Sequence, residues 1–81
     1  MAEYEITSPL PGIFYRRPDP DSDYFVEEGA VVPAQAVVGL IELMKQFSEV
    51  NAEGAGRNIR YLLSDGDEVD IGQIVAVYVL D

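Results

Sequence analysis

The chain has 81 residues, with five basic side chains against fifteen acidic ones, a formal net charge of −10, and neither Cys nor His. That composition excludes disulfides, thiolate or imidazole metal sites and nucleophile–histidine triads, and the acidic balance argues against nucleic acid and anionic membranes as partners. The length fits one small domain over residues 1–81, and an apolar content of 48% can furnish its core without staples.

Turn signals divide the chain into short pieces. Pro9-Leu-Pro-Gly12 leads into Gly12-Ile-Phe-Tyr15, a β-branched and aromatic run that reads as a strand. Pro18-Asp-Pro-Asp-Ser-Asp23 is a conspicuously polar loop, and Glu28-Gly29 marks another turn. Over residues 33–53 the apolar side chains Val37, Leu40, Ile41, Met44 and Phe47 fall at helical spacing among good helix formers. Gly54 supplies a helix stop, whereas Val37-Val38-Gly39 is a poor start. Ile59-Arg-Tyr-Leu-Leu63 and Ile74-Val-Ala-Val-Tyr-Val-Leu80 again read as strands, separated by turn signals at Asp65-Gly66-Asp67 and Ile71-Gly72-Gln73. Asp65-Gly-Asp-Glu-Val-Asp70 has calcium-loop residues without the 12-residue spacing and terminal Glu, so a solvated hairpin turn is expected there.

An internal repeat decides between helix and strand over residues 37–43. Gly29-x-x-Val32-x-x-x-x-Val37-Val38 matches Gly66-x-x-Val69-x-x-x-x-Ile74-Val75 at an offset of 37, while Gly12 and Gly56 match at 44. Because Ile74–Leu80 reads as a strand, Val37–Leu43 should be one too. The difference in offset places a seven-residue insertion in the first half, where the Pro-Asp-Pro-Asp loop lies. Lys45, the only lysine, then sits near the turn joining two halves. Phe47 is expected in the core and Met44 at the turn. Arg16 and Arg17 are expected to balance Asp19, Asp21 and Asp23 at the surface, where such pairs contribute little.

Ser8-Pro-x-x-Gly-x-Phe-Tyr-Arg16, Pro18-x-Pro-Asp21, Phe25-Val-Glu-x-Gly29, Glu42-x-Met-Lys45 and Gly66-x-x-Val69, in that order, resemble the biotinyl domain of biotin carboxyl carrier proteins of the bacterial acetyl-CoA carboxylase type. The resemblance covers residues 8–80. It implies an all-β fold, a flattened barrel or sandwich of two four-stranded antiparallel sheets related by a pseudo-twofold. It also implies covalent biotin on Lys45 at a hairpin tip, flanked by Glu42, Met44 and Gln46. A thumb over about residues 16–24 would bring Arg17, Pro18, Asp19 and Pro20 to the cofactor or a partner. The implied role is that of a cytoplasmic carrier in fatty-acid synthesis with no catalytic residue of its own, served by a biotin protein ligase, a biotin carboxylase and a carboxyltransferase. Here the acceptor motif runs Leu43-Met44-Lys45-Gln46 where the family most often has Ala-Met-Lys-Met. Arg17 stands where a small hydroxyl residue often precedes the first thumb proline, and Ala34-Gln35-Ala36 replaces the usual Gly-Asp. Two alternatives stay open: a lipoyl carrier, whose family lacks the thumb and has Asp before the lysine, and an unmodified scaffold module.

Overall fold

The computed structural model describes residues 3–81. Seven strands follow one another: β1 Glu3–Thr7, β2 Gly12–Tyr15, β3 Val37–Leu43, β4 Gln46–Asn51, β5 Gly56–Tyr61, β6 Asp67–Val69 and β7 Ile74–Leu80. They form two antiparallel sheets, β1-β7-β5 and β4-β3-β2-β6, and no helix occurs among the described residues. Extents of 37 × 27 × 18 Å give the molecule its flattened form. Between the sheets lie the fully buried side chains of Phe14, Val32, Val38, Ile41, Ile59, Val75 and Tyr78.

The local pattern predicts β7 and the repeat predicts β3, both with their observed limits, and the helical spacing over residues 33–53 has a physical origin. A register shift between Val37 and Gly39 breaks the two-residue alternation of β3. The buried residues Val38 and Ile41 consequently lie three apart, mimicking a helix. Gly39, which reads as a helix weakness, is required by packing: a Cβ there would lie 2.4 Å from Cε1 of Phe14.

The repeat is also visible in three dimensions. A Cβ on Gly12 would lie 2.2 Å from the Glu42 carbonyl oxygen, and one on Gly56 would lie 2.2 Å from the Val79 carbonyl oxygen. Residues 42 and 79 are separated by the same offset of 37 that relates β3 to β7. Each glycine lets its strand cross tightly over the long strand of its own sheet. Gly29 and Gly66, also 37 apart, both take positive φ, at 81° and 92°.

The expectation of two four-stranded sheets needs one correction. The second sheet is complete, because β6 pairs along β2 from Gly12↔Val69 to Phe14↔Asp67. The equivalent pairing in the first sheet shrinks to one bridge, Val32↔Gly56, held by two backbone hydrogen bonds of 2.8 Å each. The ladder stops where β5 shifts register between Arg57 and Arg60, at Asn58 with φ 59°. The turn expected as a hairpin near Asp65 is likewise different. Ser64 and Asp67 close a tight turn, with the Asp67 N–H donating to the Ser64 carbonyl at 3.1 Å. That turn carries the chain from β5 in one sheet to β6 in the other, so it joins no hairpin.

Gln35 occupies the turn before β3 at φ 60°, and its repeat counterpart Gly72 has φ 81°. A side chain in the left-handed region costs roughly 1–2 kcal/mol, partly offset by the extra freedom glycine gives the unfolded chain. The exposed substitution Gln35→Gly therefore raises stability by about 0.5–1 kcal/mol, measurable by urea unfolding.

Candidate functional site

β3 and β4 are joined by the shortest hairpin connection. Leu43 pairs with Gln46, and Met44 and Lys45 turn the chain with φ 55° and 64°. Two central residues at positive φ define a type I′ turn, whose twist matches the flanking strands and which ordinarily selects Asn-Gly. Met and Lys hold it here against a backbone penalty of roughly 1 kcal/mol or more each. Met44 is 87% exposed and Lys45 is exposed, with no ion pair to Lys45 among the described residues. The turn thus presents one primary amine to solvent.

From the hairpin, a chain of contacts leads across the outer face of the sheet. Glu42 stands opposite Phe47, and its Oε1 accepts a 3.1 Å hydrogen bond from the Tyr15 hydroxyl on β2. That hydrogen bond, then burial, then the carboxylate's charge raise the Tyr15 pKa above its ordinary value. The Tyr15 and Phe47 rings are 6.3 Å apart. Phe47 is 57% exposed, which corrects its expected place in the core. In β4 it alternates outward with Glu49 and Asn51, while Val50 points inward.

Tyr15 and Phe47 form one side of a cavity of about 250 Å³, closed by Arg17, Pro18, Asp19, Pro20 and Asp65. All four thumb residues expected from the sequence are therefore gathered here. The loop holds its shape through Asp19, whose carboxylate accepts from the Asp21 N–H (3.0 Å) and the Ser22 hydroxyl (2.9 Å). Pro18 and Pro20 add fixed φ angles. Met44, Lys45 and Gln46 lie at the tip, outside the cavity. Lys45, in the turn, precedes Phe47 of β4 by two residues.

The loop is anchored by Arg16. Its guanidinium carbon lies 4.1 Å from the Tyr24 ring centroid and 4.0 Å from that of Tyr61, a cation sandwiched between two aromatic faces. The Arg16 N–H donates to Asp65 Oδ1 at 2.7 Å, and its carbonyl accepts from the Phe25 N–H at 2.8 Å, closing the loop at its base. Burial pushes the Tyr61 pKa up to about 12 even though Arg16 opposes the shift, and the neutral hydroxyl donates to the Val38 carbonyl at 2.8 Å. Arg17 Nε lies 3.4 Å from Asp65 Oδ2, near enough for charge pairing but without a hydrogen bond. Arg16 and Arg17 are thus held by tyrosine rings and Asp65, which corrects the expectation that they balance Asp19, Asp21 and Asp23.

Tyr15, Phe47 and Asp65 are the site residues that sequence reasoning missed. The outward alternation of β4 would have found Phe47. Asp65 carried no signal, because its partners are some fifty positions away in the chain.

Chemically, the cavity combines apolar walls with two carboxylate acceptors and one guanidinium donor. That set suits a small ring bearing both N–H and C=O groups. The described residues contain no cluster of three or more His, Cys, Asp or Glu able to hold a metal ion.

The model of a protein family described as "Biotin-requiring enzyme" matches residues 4–78. The biotin carboxyl carrier protein of acetyl-CoA carboxylase of Chlamydia pneumoniae is 43% identical over 67 residues, covering 83% of this chain and 40% of that protein. The protein of the same name from Pyropia yezoensis is 44% identical over 68 residues, covering 84% and 43%. The Haemophilus influenzae one is 33% identical over 77 residues, covering 95% and 50%. The chain spans two fifths to half the length of these curated relatives.

Two outcomes follow from the turn and the anchor. Met44→Asn combined with Lys45→Gly raises stability by about 1 kcal/mol, because the backbone already has the shape that Asn-Gly prefers. Arg16→Met lowers stability by about 2 kcal/mol and speeds amide exchange across residues 17–24, as read by urea unfolding and hydrogen exchange.

Proposed function

The chain belongs to the biotin/lipoyl attachment family, and from that premise we propose that it is a biotin carboxyl carrier domain with biotin in amide linkage to Nζ of Lys45. The observation that carries this reading is the only lysine of the sequence standing exposed on a type I′ turn, two residues before Phe47 in the wall of a cavity of matching chemistry. When bound, biotin supplies a ureido nitrogen able to carry a carboxyl group between two active sites. The protein's own residues supply position.

Each residue's part follows from its place. The turn holds the amine clear of both sheets, where a biotin protein ligase can reach it. Met44 and Gln46 flank it and form, with Glu42, the surface such a ligase reads. The loop over residues 16–24 acts as a thumb, with Arg17, Pro18, Asp19 and Pro20 meeting the ring on one side and Phe47 and Tyr15 on the other. Asp19 and Asp65 are placed to accept from ureido N–H groups, and Arg17 to donate to the ureido carbonyl. Excluding water there keeps the ring from wandering between deliveries.

The names of the relatives support acetyl-CoA carboxylase as the assembly, with a biotin carboxylase loading the arm and a carboxyltransferase unloading it. In that assembly the domain transports and does not catalyse. The net charge of −10 suits brief docking to more than one enzyme, since complementary charge mainly accelerates encounter. The absence of cysteine from the sequence accords with a cytoplasmic setting.

Incubation with a biotin protein ligase, biotin and ATP tests the reading by intact mass and peptide mapping. One biotinyl increment on Lys45 is expected. Lys45→Arg abolishes it, because a guanidinium is no acyl acceptor, while the exposed swap changes stability by less than about 0.5 kcal/mol. No increment from an active ligase, or a lipoyl increment from a lipoate ligase instead, contradicts the proposal.

A further inference from the structure

The charges around the cavity carry the reading one step further. Two carboxylates, Asp19 and Asp65, line it with a single guanidinium, that of Arg17. Arg17 lies against Asp65, with Nε 3.4 Å from Oδ2. The positive charge is therefore matched by Asp65, and Asp19 remains without a cationic partner among the described residues. Among the described residues its carboxylate accepts only from neutral donors, the Asp21 N–H and the Ser22 hydroxyl. The walls between these groups are aromatic rings and prolines, which screen charge poorly compared with water.

We propose that this cavity selects the uncharged cyclic urea and rejects the same ring once it carries a carboxylate, so that loading the arm releases it from the thumb. The inference rests on the reading that Lys45 bears biotin. Two effects act in the same direction. A neutral ureido ring offers N–H donors to Asp19 and Asp65 and a carbonyl acceptor to Arg17, whose guanidinium makes no side-chain hydrogen bond among the described residues. Replacing one N–H by N–carboxylate removes a donor facing the carboxylates and places a negative charge beside Asp19. Both losses fall on the bound state alone, since a ring swinging in water keeps its hydration. The empty arm would then rest in the cavity, and the loaded arm would be free for the next enzyme.

The test uses the whole chain, biotinylated on Lys45 and isotopically labelled. Amide signals of Asp19 and Phe47 are compared in the unmodified, biotinylated and carboxylated protein, the last formed in the tube by a biotin carboxylase with MgATP and bicarbonate. Biotinylation should displace these signals, and carboxylation should return them toward the unmodified positions, the docked population falling at least tenfold. In Asp19→Asn, whose one side-chain oxygen can still accept from the Asp21 N–H, the fall should shrink to threefold or less. Equal or larger displacement in the carboxylated protein overturns the inference, as does an unchanged tenfold fall in Asp19→Asn. Absence of biotin on Lys45 in the mass spectrum would instead defeat the functional reading beneath it, and a modified chain whose signals do not move on biotinylation would overturn the inference while leaving that reading standing.

Discussion

A backbone constraint at two residues organises the molecule. With Met44 and Lys45 both at positive φ, β3 and β4 can be joined in one register only, Leu43 opposite Gln46. A slip of one residue would exchange the faces of β4, burying Phe47 and exposing Val50. In the register observed, Val50 enters the core, Phe47 stands outside opposite Glu42, and the amine of Lys45 projects from the end of the sandwich. Phe47 in turn gives the loop over residues 16–24 something to close against. The cavity wall, the place of Lys45 and the core edge are therefore consequences of one turn.

The loop itself is an addition to the symmetric frame, and it is tied down by interactions the frame does not otherwise need. The two halves share their glycine contacts and long strands, but only the first carries seven extra residues. Most of these extra residues are polar, so burial of apolar surface cannot hold them in place. Arg16 does so by stacking between Tyr24 of the loop and Tyr61 of the opposite sheet, while Asp65 receives the Arg16 N–H and faces Arg17. The basic side chains of an acidic protein are thus spent where they orient a segment: Arg16 and Arg17 at the loop, Arg57 against Asp81, and Arg60 against Glu3. The last two tie β5 to the end of β7 and to β1. Among the described residues, Lys45 alone of the five basic side chains makes neither an ion pair nor a ring contact.

Much of this was legible in the sequence, through the repeat more than through local pattern. The offset of 37 residues fixed the limits of β3 from those of β7, against a helical spacing that a register shift had manufactured. What the repeat could not carry was the departure from symmetry in the first sheet. The register shift at Asn58, φ 59°, leaves one bridge where the repeat expects an eighth strand, and only the pairing shows it. The thumb residues Arg17, Pro18, Asp19 and Pro20 were legible as a polar loop within a family resemblance, but not their arrangement. Phe47 was misplaced because a helical period puts it inward and the strand period puts it outward. The stacking of Arg16 was invisible because Tyr61 lies in a different sheet, and charge counting alone pairs arginines with the nearest acids.

The proposed role requires that Lys45 carry a biotin whose ring reaches the cavity between the loop and β4. Nuclear Overhauser contacts in the biotinylated chain address it most directly, because they require the modification and the docking at once. Cross-peaks are expected from the ring protons of biotin to the aromatic protons of Phe47 and Tyr15 and to Pro18. A chain biotinylated on Lys45 whose ring shows contacts only to solvent, or to the face of the sandwich away from residues 16–20, would contradict it.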